Sequence, residues 1–204
     1  MTVSRKVSKE RTRARLIQGT LKVLHKDGAA ALTTGRIAES AGVAQPTFYV
    51  HFSGLDDALK QAAEYLGERW VSAVAANRNA AATTGHGSLR GVLDAYVGAL
   101  LDDTKAAEIF LRHRRDPAST MGRELRRLAE RARDQLVRDL AEVGGLSFDE
   151  LAPMGDLCLG VVLGVVESVL DKRADRDVAL DAGSRMVEGV VAMLGGHEAV
   201  VAAE

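Results

Sequence analysis

Two hundred and four residues, 47% hydrophobic and 27% charged, suffice for one large domain or two small ones and are too apolar for a disordered chain. A lone cysteine, Cys158, excludes an intrachain disulfide and with it a disulfide-built secreted scaffold. The net charge of −1 hides an asymmetry: residues 1–52 carry nine positive and three negative side chains, a balance of +6 against −7 over residues 53–204, which points to an anionic partner for the first segment.

Residues 9–27 read as a helix with Leu16, Ile17, Leu21 and Leu24 on one stripe and Gly28 as its stop. Thr33 or Thr34 caps a short helix from Gly35 to Ala41, Gly42 makes a turn, and a third short helix runs from Ala44 to His51 with Pro46 in its first turn. Ile37, Ala38, Val43, Phe48 and Phe52 close these three helices into a small core. A longer helix follows from Asp56 to about Asn79, and residues 80–87 (AAATTGHG) read as a loop. Ser88 caps the next helix, and another spans Thr104–Arg115 before Asp116-Pro117. Ser119–Val143 is long and amphipathic, and Phe148–Lys172 and Asp177–Leu194 are the last two helices, with a frayed tail after Gly196. The fold class is all-α, about nine helices without a strand.

Residues 33–52, TTGRIAESAGVAQPTFYVHF, carry the function. Small Ala38 lets two helices approach, Gly42 takes the positive φ of a tight turn, and the third helix exposes Gln45, Thr47, Val50 and His51. That is the physics of a helix-turn-helix, whose second helix enters the major groove. Thr33-Thr34, Ile37-Ala38, Ala41-Gly42-Val43, Thr47-Phe48-Tyr49 and His51-Phe52 resemble the DNA-binding domain of the TetR family of bacterial transcriptional regulators over about residues 10–60. The resemblance implies a DNA-binding domain at residues 1–53 and a ligand-binding and dimerisation domain at 54–204. It implies phosphate contacts at Thr34, Arg36, Tyr49 and His51, and base contacts at Gln45, Pro46 and Thr47; Thr33 is either a contact or only a helix cap. Pro46 stands where the family usually has glycine, and Leu55 where it often has a phosphate-binding lysine. The basic arm, Arg5, Lys6, Lys9, Arg11 and Arg13, compensates as a backbone or minor-groove contact.

In the body, Leu157, Gly160, Val161, Gly164 and Val165 on one helix and Met186, Val187, Val190, Val191 and Leu194 on the other offer an interface for a homodimer, with the protomer's own core as the competing use. The family's middle helices enclose a ligand, and the candidates to line that pocket are Tyr65, Leu66, Trp70, Tyr96, Leu100, Phe110 and Cys158, with Arg112, His113 and Arg114 as a basic cluster. That cluster also reads as a surface run paired to Glu108 and Asp116. The aliphatic lining and the stretches 42–59 and 110–115 are similar to those of the fatty-acid-biosynthesis regulators, which implies a long-chain acyl-CoA as effector. The partners expected are therefore double-stranded DNA, a second copy of the chain and a small apolar molecule.

An enzyme is not expected. The five histidines have no ligand spacing, and no CxxC, GxSxG, GxGxxG or GxxxxGKS string occurs, so neither a metal nor a cofactor is expected. The N-terminus has no signal-like apolar run, and the longest uncharged apolar stretch, Leu157–Val166, is ten residues, too short for a bilayer, so the setting is a reducing cytoplasm without membrane partners. The competing function is a helical small-molecule-binding or protein-interaction protein that does not read DNA.

Overall fold

A computed structural model describes residues 2–83 and 88–201, with side chains described for 6–80 and 88–195. The helices are α1 (Thr2–Asp27), α2 (Thr34–Ser40), α3 (Gln45–His51), α4 (Leu55–Thr83), α5 (Leu89–Leu101), α6 (Thr104–His113), α7 (Thr120–Gly144), α8 (Phe148–Leu151), α9 (Gly155–Leu170) and α10 (Arg176–Val201). No strand occurs among the described residues.

Several bounds differ from the sequence expectation for local reasons. α1 already begins at Thr2, since nothing in residues 2–8 breaks a helix. α4 continues through Ala80–Thr83, where alanine, the strongest helix former, overrides the loop signal; residues 84–87 lie outside the described residues. The expected helix 148–172 is instead α8, a 3-10 turn at Ala152–Met154 that carries Pro153, and α9. A capping box between Ser147 and Glu150 starts α8. α10 runs on to Val201, beyond the expected end at Leu194; residues 202–204 lie outside the described residues. The stretch Phe148–Leu170 is longer than the ten-residue run and includes an 18-residue window of mean hydropathy 1.7, yet the 3-10 turn divides it, and α9 packs against α5 and α10.

Two compact units form: Met1–Glu68 with Lys105–Arg127, and Arg69–Thr104 with Leu128–Glu204. α4 and α7 each contribute to both units. In the first unit α1, α2 and α3 bury Leu16, Leu24, Ile37, Ala38, Phe48 and Phe52. The α1–α2 crossing is close enough to require Gly19: a Cβ there would stand 2.8 Å from the Ile37 carbonyl oxygen. α6 is tied to the end of α1, where His25 Nε2 meets Glu108 Oε2 at 2.8 Å and Arg112 donates to the His25 carbonyl. In the second unit Leu93, Val97, Val162, Val166, Leu180 and Val187 form the core of α5, α9 and α10.

Candidate nucleic-acid interface

α2 starts where it does because Thr33 is extended and its Oγ1 accepts from the Arg36 N–H at 3.2 Å. Thr33 thus works as the helix cap. Gly42, at φ +64°, makes the turn, and the Val43 N–H reaches the Ala38 carbonyl at 2.9 Å. α3 opens with Pro46 in its first turn, where a missing N–H costs no helical bond. With Ile37, Ala38, Phe48 and Phe52 turned inward, α2 and α3 present Gln45, Pro46, Tyr49 and Val50 outward, Tyr49 and Val50 being 56% and 65% exposed, while Thr34 is half-buried beside Gln45 and Tyr49. Three of these are already joined: Gln45 Nε2 donates to Thr34 Oγ1 at 2.9 Å, and Thr34 Oγ1 lies 3.2 Å from the Tyr49 hydroxyl.

Other expected contacts are placed differently. Arg36 turns back, its Nη2 on Asp27 Oδ2 at 2.8 Å. Thr47 and His51 are half-buried rather than fully exposed. His51 Nδ1 is buried without a hydrogen bond; burial, then the nearby charges of Lys9 and Arg13, hold the imidazole below its ordinary pKa. The cations of α1 thus act on the end of α3. Lys6, Lys9, Arg11 and Arg13 are exposed along α1; the Arg5 side chain lies outside the described residues. The sequence reading missed Arg15, whose Nη2 donates to the Gly42 carbonyl at 3.0 Å and braces the turn from α1. It also missed that Asp56 accepts from Thr120 at 2.6 Å, and that Asp57 accepts from the Ser53 N–H at 2.9 Å, so the acidic start of α4 is a structural joint. Burial pushes the Asp57 carboxyl up, but hydrogen bonds from Ser53 and Gln61 bring it below the usual range.

The residues proposed for a ligand fall in both units. In the first, Leu66, Phe110 and His113 are buried, Tyr65 is half-buried, Arg112 is exposed and Arg114 stands over the Phe110 ring. Glu108, a candidate partner of the basic run, meets His25. In the second unit Trp70 and Tyr96 are buried and Leu100 is half-buried. Tyr96 donates to Asp139 Oδ2 at 2.8 Å, so its hydroxyl is committed to the core. Cys158 is buried in α9, and burial pushes its thiol up, leaving it a poor nucleophile. It borders an apolar groove of about 660 Å3 between α9 and α10. Leu157, Gly160, Gly164 and Met186 open onto that groove, with Leu157 62% and Met186 63% exposed. Val161, Val190 and Leu194 are half-buried. Val165, Val187 and Val191 are buried within the protomer, Val165 and Val187 lining the same groove. A Cβ on Gly160 or Gly164 would meet nothing within 4 Å, so this face is bare. Among the described residues no three metal-binding side chains cluster.

His51 and His113 should make the stability of the first unit depend on pH. Burial, and next the Arg112 charge, lower the His113 pKa, as burial, Lys9 and Arg13 do for His51. Unfolded imidazoles take up a proton near pH 6.5 while the folded ones resist it. Stability is thus complete above that pH, falls as pH drops below it, and levels off once the folded histidines protonate. Thermal melts between pH 8 and pH 5 should show this fall, and His113→Phe should make it shallower. An unchanged profile in the variant would remove His113 as a cause.

The geometry has known counterparts. Residues 16–64 match the family model of bacterial regulatory proteins, tetR family. No curated protein matches the chain. Among solved structures, a TetR-family transcriptional regulator from Streptomyces coelicolor is similar at 21% identity and TM-score 0.67, over 91% of this chain and 96% of that one. A TetR-like transcriptional regulator from Rhodococcus sp. RHA1 has 17% identity and TM-score 0.68, over 89% and 96%. The fatty acid degradation regulator FadR from Bacillus halodurans has 20% identity and TM-score 0.66, over 86% and 93%. Residues 16–64 thus match a domain of the tetR family of bacterial regulatory proteins, set in a chain that has the fold of these solved regulators.

Proposed function

We propose that the protein is a homodimeric, ligand-responsive transcriptional repressor that grips a near-palindromic operator with residues 33–52 of each subunit. The observation that carries this reading is the joined polar set of Gln45, Thr34 and Tyr49 beside the exposed cations of α1. In a helix-turn-helix the second helix enters the major groove with its N-terminal residues on base edges, which puts Gln45, Pro46 and Thr47 at the bases. Tyr49, His51 and the α1 cations then serve the phosphates. Such a protein works in the cytoplasm, where the DNA is, and the activity is binding rather than catalysis. Selection of bound genomic fragments in vitro tests the reading. It should recover an inverted repeat with half-sites about 34 Å apart, or a multiple of that. Fragments without a shared repeat would refute it.

The bare face of α9 and α10 supports dimerisation, since exposed Leu157 and Met186 flank two open glycines that admit a partner helix. Leu157→Glu with Met186→Glu should turn a dimer into a folded monomer in sedimentation at micromolar concentration. A wild-type monomer, or a variant that stays dimeric, would contradict this use of the face.

The effector we assign is a long-chain acyl thioester. The aliphatic composition of the body and the likeness to a fatty acid degradation regulator support it. α4 contributes to both compact units and is the natural carrier of a ligand signal to the helix-turn-helix. The coupling equals the ligand's difference in affinity between the two states, about 1–3 kcal/mol. Acyl-CoAs should raise the melting temperature in a thermal-shift panel; no response from any chain length would exclude them.

A further inference from the structure

The basic character of the first unit extends beyond α1–α3. Met1–Glu68 with Lys105–Arg127 holds 17 lysines and arginines against 10 aspartates and glutamates, and the second unit 10 against 18. Residues 105–127, distant in sequence from the helix-turn-helix, supply seven of those cations and three of the acids. Hydrogen bonds bring the first turn of α7 to the start of α4, a few residues after the end of α3. Thr120 Oγ1 donates to Asp56 Oδ1 at 2.6 Å and accepts from Arg123 Nη2 at 2.9 Å. Both directions are fixed, since an ionised carboxylate only accepts and a guanidinium only donates. Arg123 Nη1 meets the carbonyls of Ala118 and Pro117 at 2.8 and 3.5 Å. The side chain is therefore held by a hydroxyl and two loop carbonyls, and among the described residues no carboxylate pairs with it. It is exposed, with Nε–H and one Nη2–H unused. α1 acts on the same junction: the charges of Lys9 and Arg13 reach His51, and that of Arg13 reaches Asp57. The acids there are already engaged, Asp56 by Thr120, and Asp57 by the Ser53 N–H at 2.9 Å and Gln61 Nε2 at 2.6 Å.

We propose that Arg123 is a further operator contact, through which α7, a helix outside the helix-turn-helix, holds a backbone phosphate beside the end of α3. On the regulator reading above, on which this rests, His51 and the α1 cations already serve phosphates at that end. A phosphate contact needs N–H donors and positive charge, and it fixes position without reading sequence. Arg123 offers both from a prepared position, because its bonds to Thr120 and the loop carbonyls hold the guanidinium before the duplex is bound. Those neutral partners leave its charge uncompensated, so a phosphate oxygen gains a charge-assisted bond. Neutralising a phosphate also releases condensed counterions, so the contact shows in the salt dependence of binding and not in the choice of bases.

The test is fluorescence-anisotropy titration over a series of salt concentrations, with a duplex that carries the selected inverted repeat. The proteins are the wild type, Arg123→Gln, Arg123→Lys and, as a control in the second unit, Arg173→Gln, each checked for folding by circular dichroism and urea unfolding. Arg123→Gln should make the slope of log affinity against log salt shallower by about 0.9 per subunit, or about 1.8 for the dimer, and should select the same repeat as the wild type. Arg123→Lys, which keeps the charge, should retain the wild-type slope, as should Arg173→Gln. In the wild type, bound duplex should shield Arg123 and not Arg173 from phenylglyoxal, read by mass spectrometry, a result that depends on no variant. An Arg123→Gln slope equal to the wild type's overturns the contact, and a loss of affinity at that unchanged slope marks a brace of the loop alone. The contact is equally overturned if Arg123→Lys or Arg173→Gln flattens the slope as much as Arg123→Gln, or if bound duplex leaves Arg123 reactive. A wild type that selects no repeat defeats the regulator reading itself; a selected repeat that Arg123→Gln binds with the wild-type slope defeats this contact alone.

Discussion

Phe48→Ala should unfold the helix-turn-helix, at a loss of about 3–5 kcal/mol. The ring has no solvent exposure and stands 5.3 Å from Phe52 and 5.4 Å from Tyr49, centroid to centroid. α2 and α3 have seven residues each, too short to persist without that packing. Removing the ring leaves a cavity among Ile37, Phe52 and their neighbours, and Tyr49 loses the edge contact that holds it on the outer face. Val50→Ala, on the exposed side of the same helix, should change stability by less than about 0.5 kcal/mol. Hydrogen exchange of the α1–α3 amides together with urea unfolding reads both. A Phe48→Ala loss near that of Val50→Ala would mean that the ring is not the keystone of the unit.

The second large effect lies in the body. Asp139 is 3% exposed and accepts from the Tyr96 hydroxyl and from Gln135 Nε2, each at 2.8 Å, with Arg78 Nη1 at 3.0 Å as its counter-charge. Burial, and then this hydrogen bond, raise the Tyr96 pKa, so the phenol remains a donor at all ordinary pH. Asp139→Leu should cost about 2–3 kcal/mol. The reason is the buried Tyr96 O–H, which loses its acceptor where water cannot replace it. Arg78 is 38% exposed and recovers solvent, which keeps the loss under the 3–5 kcal/mol of a fully buried broken pair. Tyr96→Phe alone should cost about 1 kcal/mol, and the double variant less than the sum of the two, because the second change removes the orphan left by the first. Strict additivity in denaturant melts would show that the two groups do not depend on each other.

What the sequence made legible was local. The Thr33 and Ser88 caps, the Gly42 turn and the inward set Ile37, Ala38, Phe48 and Phe52 follow from neighbours within a few residues, and the structure has them. Partnerships across the chain left no such trace. Arg15 reaches Gly42 over 27 positions and Tyr96 reaches Asp139 over 43. Arg36 reads as a free cation until Asp27 is found beside it. The phase of the last helices was hidden for a different reason. From Leu157 to Val166 α9 has no polar residue to mark its solvent side, so nothing in the sequence separates Val165, in the core, from Gly164, on the open face. The end of α4 was obscured by competition between loop-forming TTGHG and the helix-forming alanines just before it.

The central claim is that two copies of the α2–α3 pair engage one duplex together. Fluorescence-anisotropy titration tests it most directly, with duplexes that carry the selected inverted repeat, the same repeat with one half scrambled, and both halves scrambled. The intact repeat should bind at least about a hundredfold more tightly than the fully scrambled duplex, with the half-site duplex between them. Its log affinity should fall with log salt by about 0.9 per phosphate neutralised. Equal affinity for all three duplexes at every salt concentration would contradict the claim.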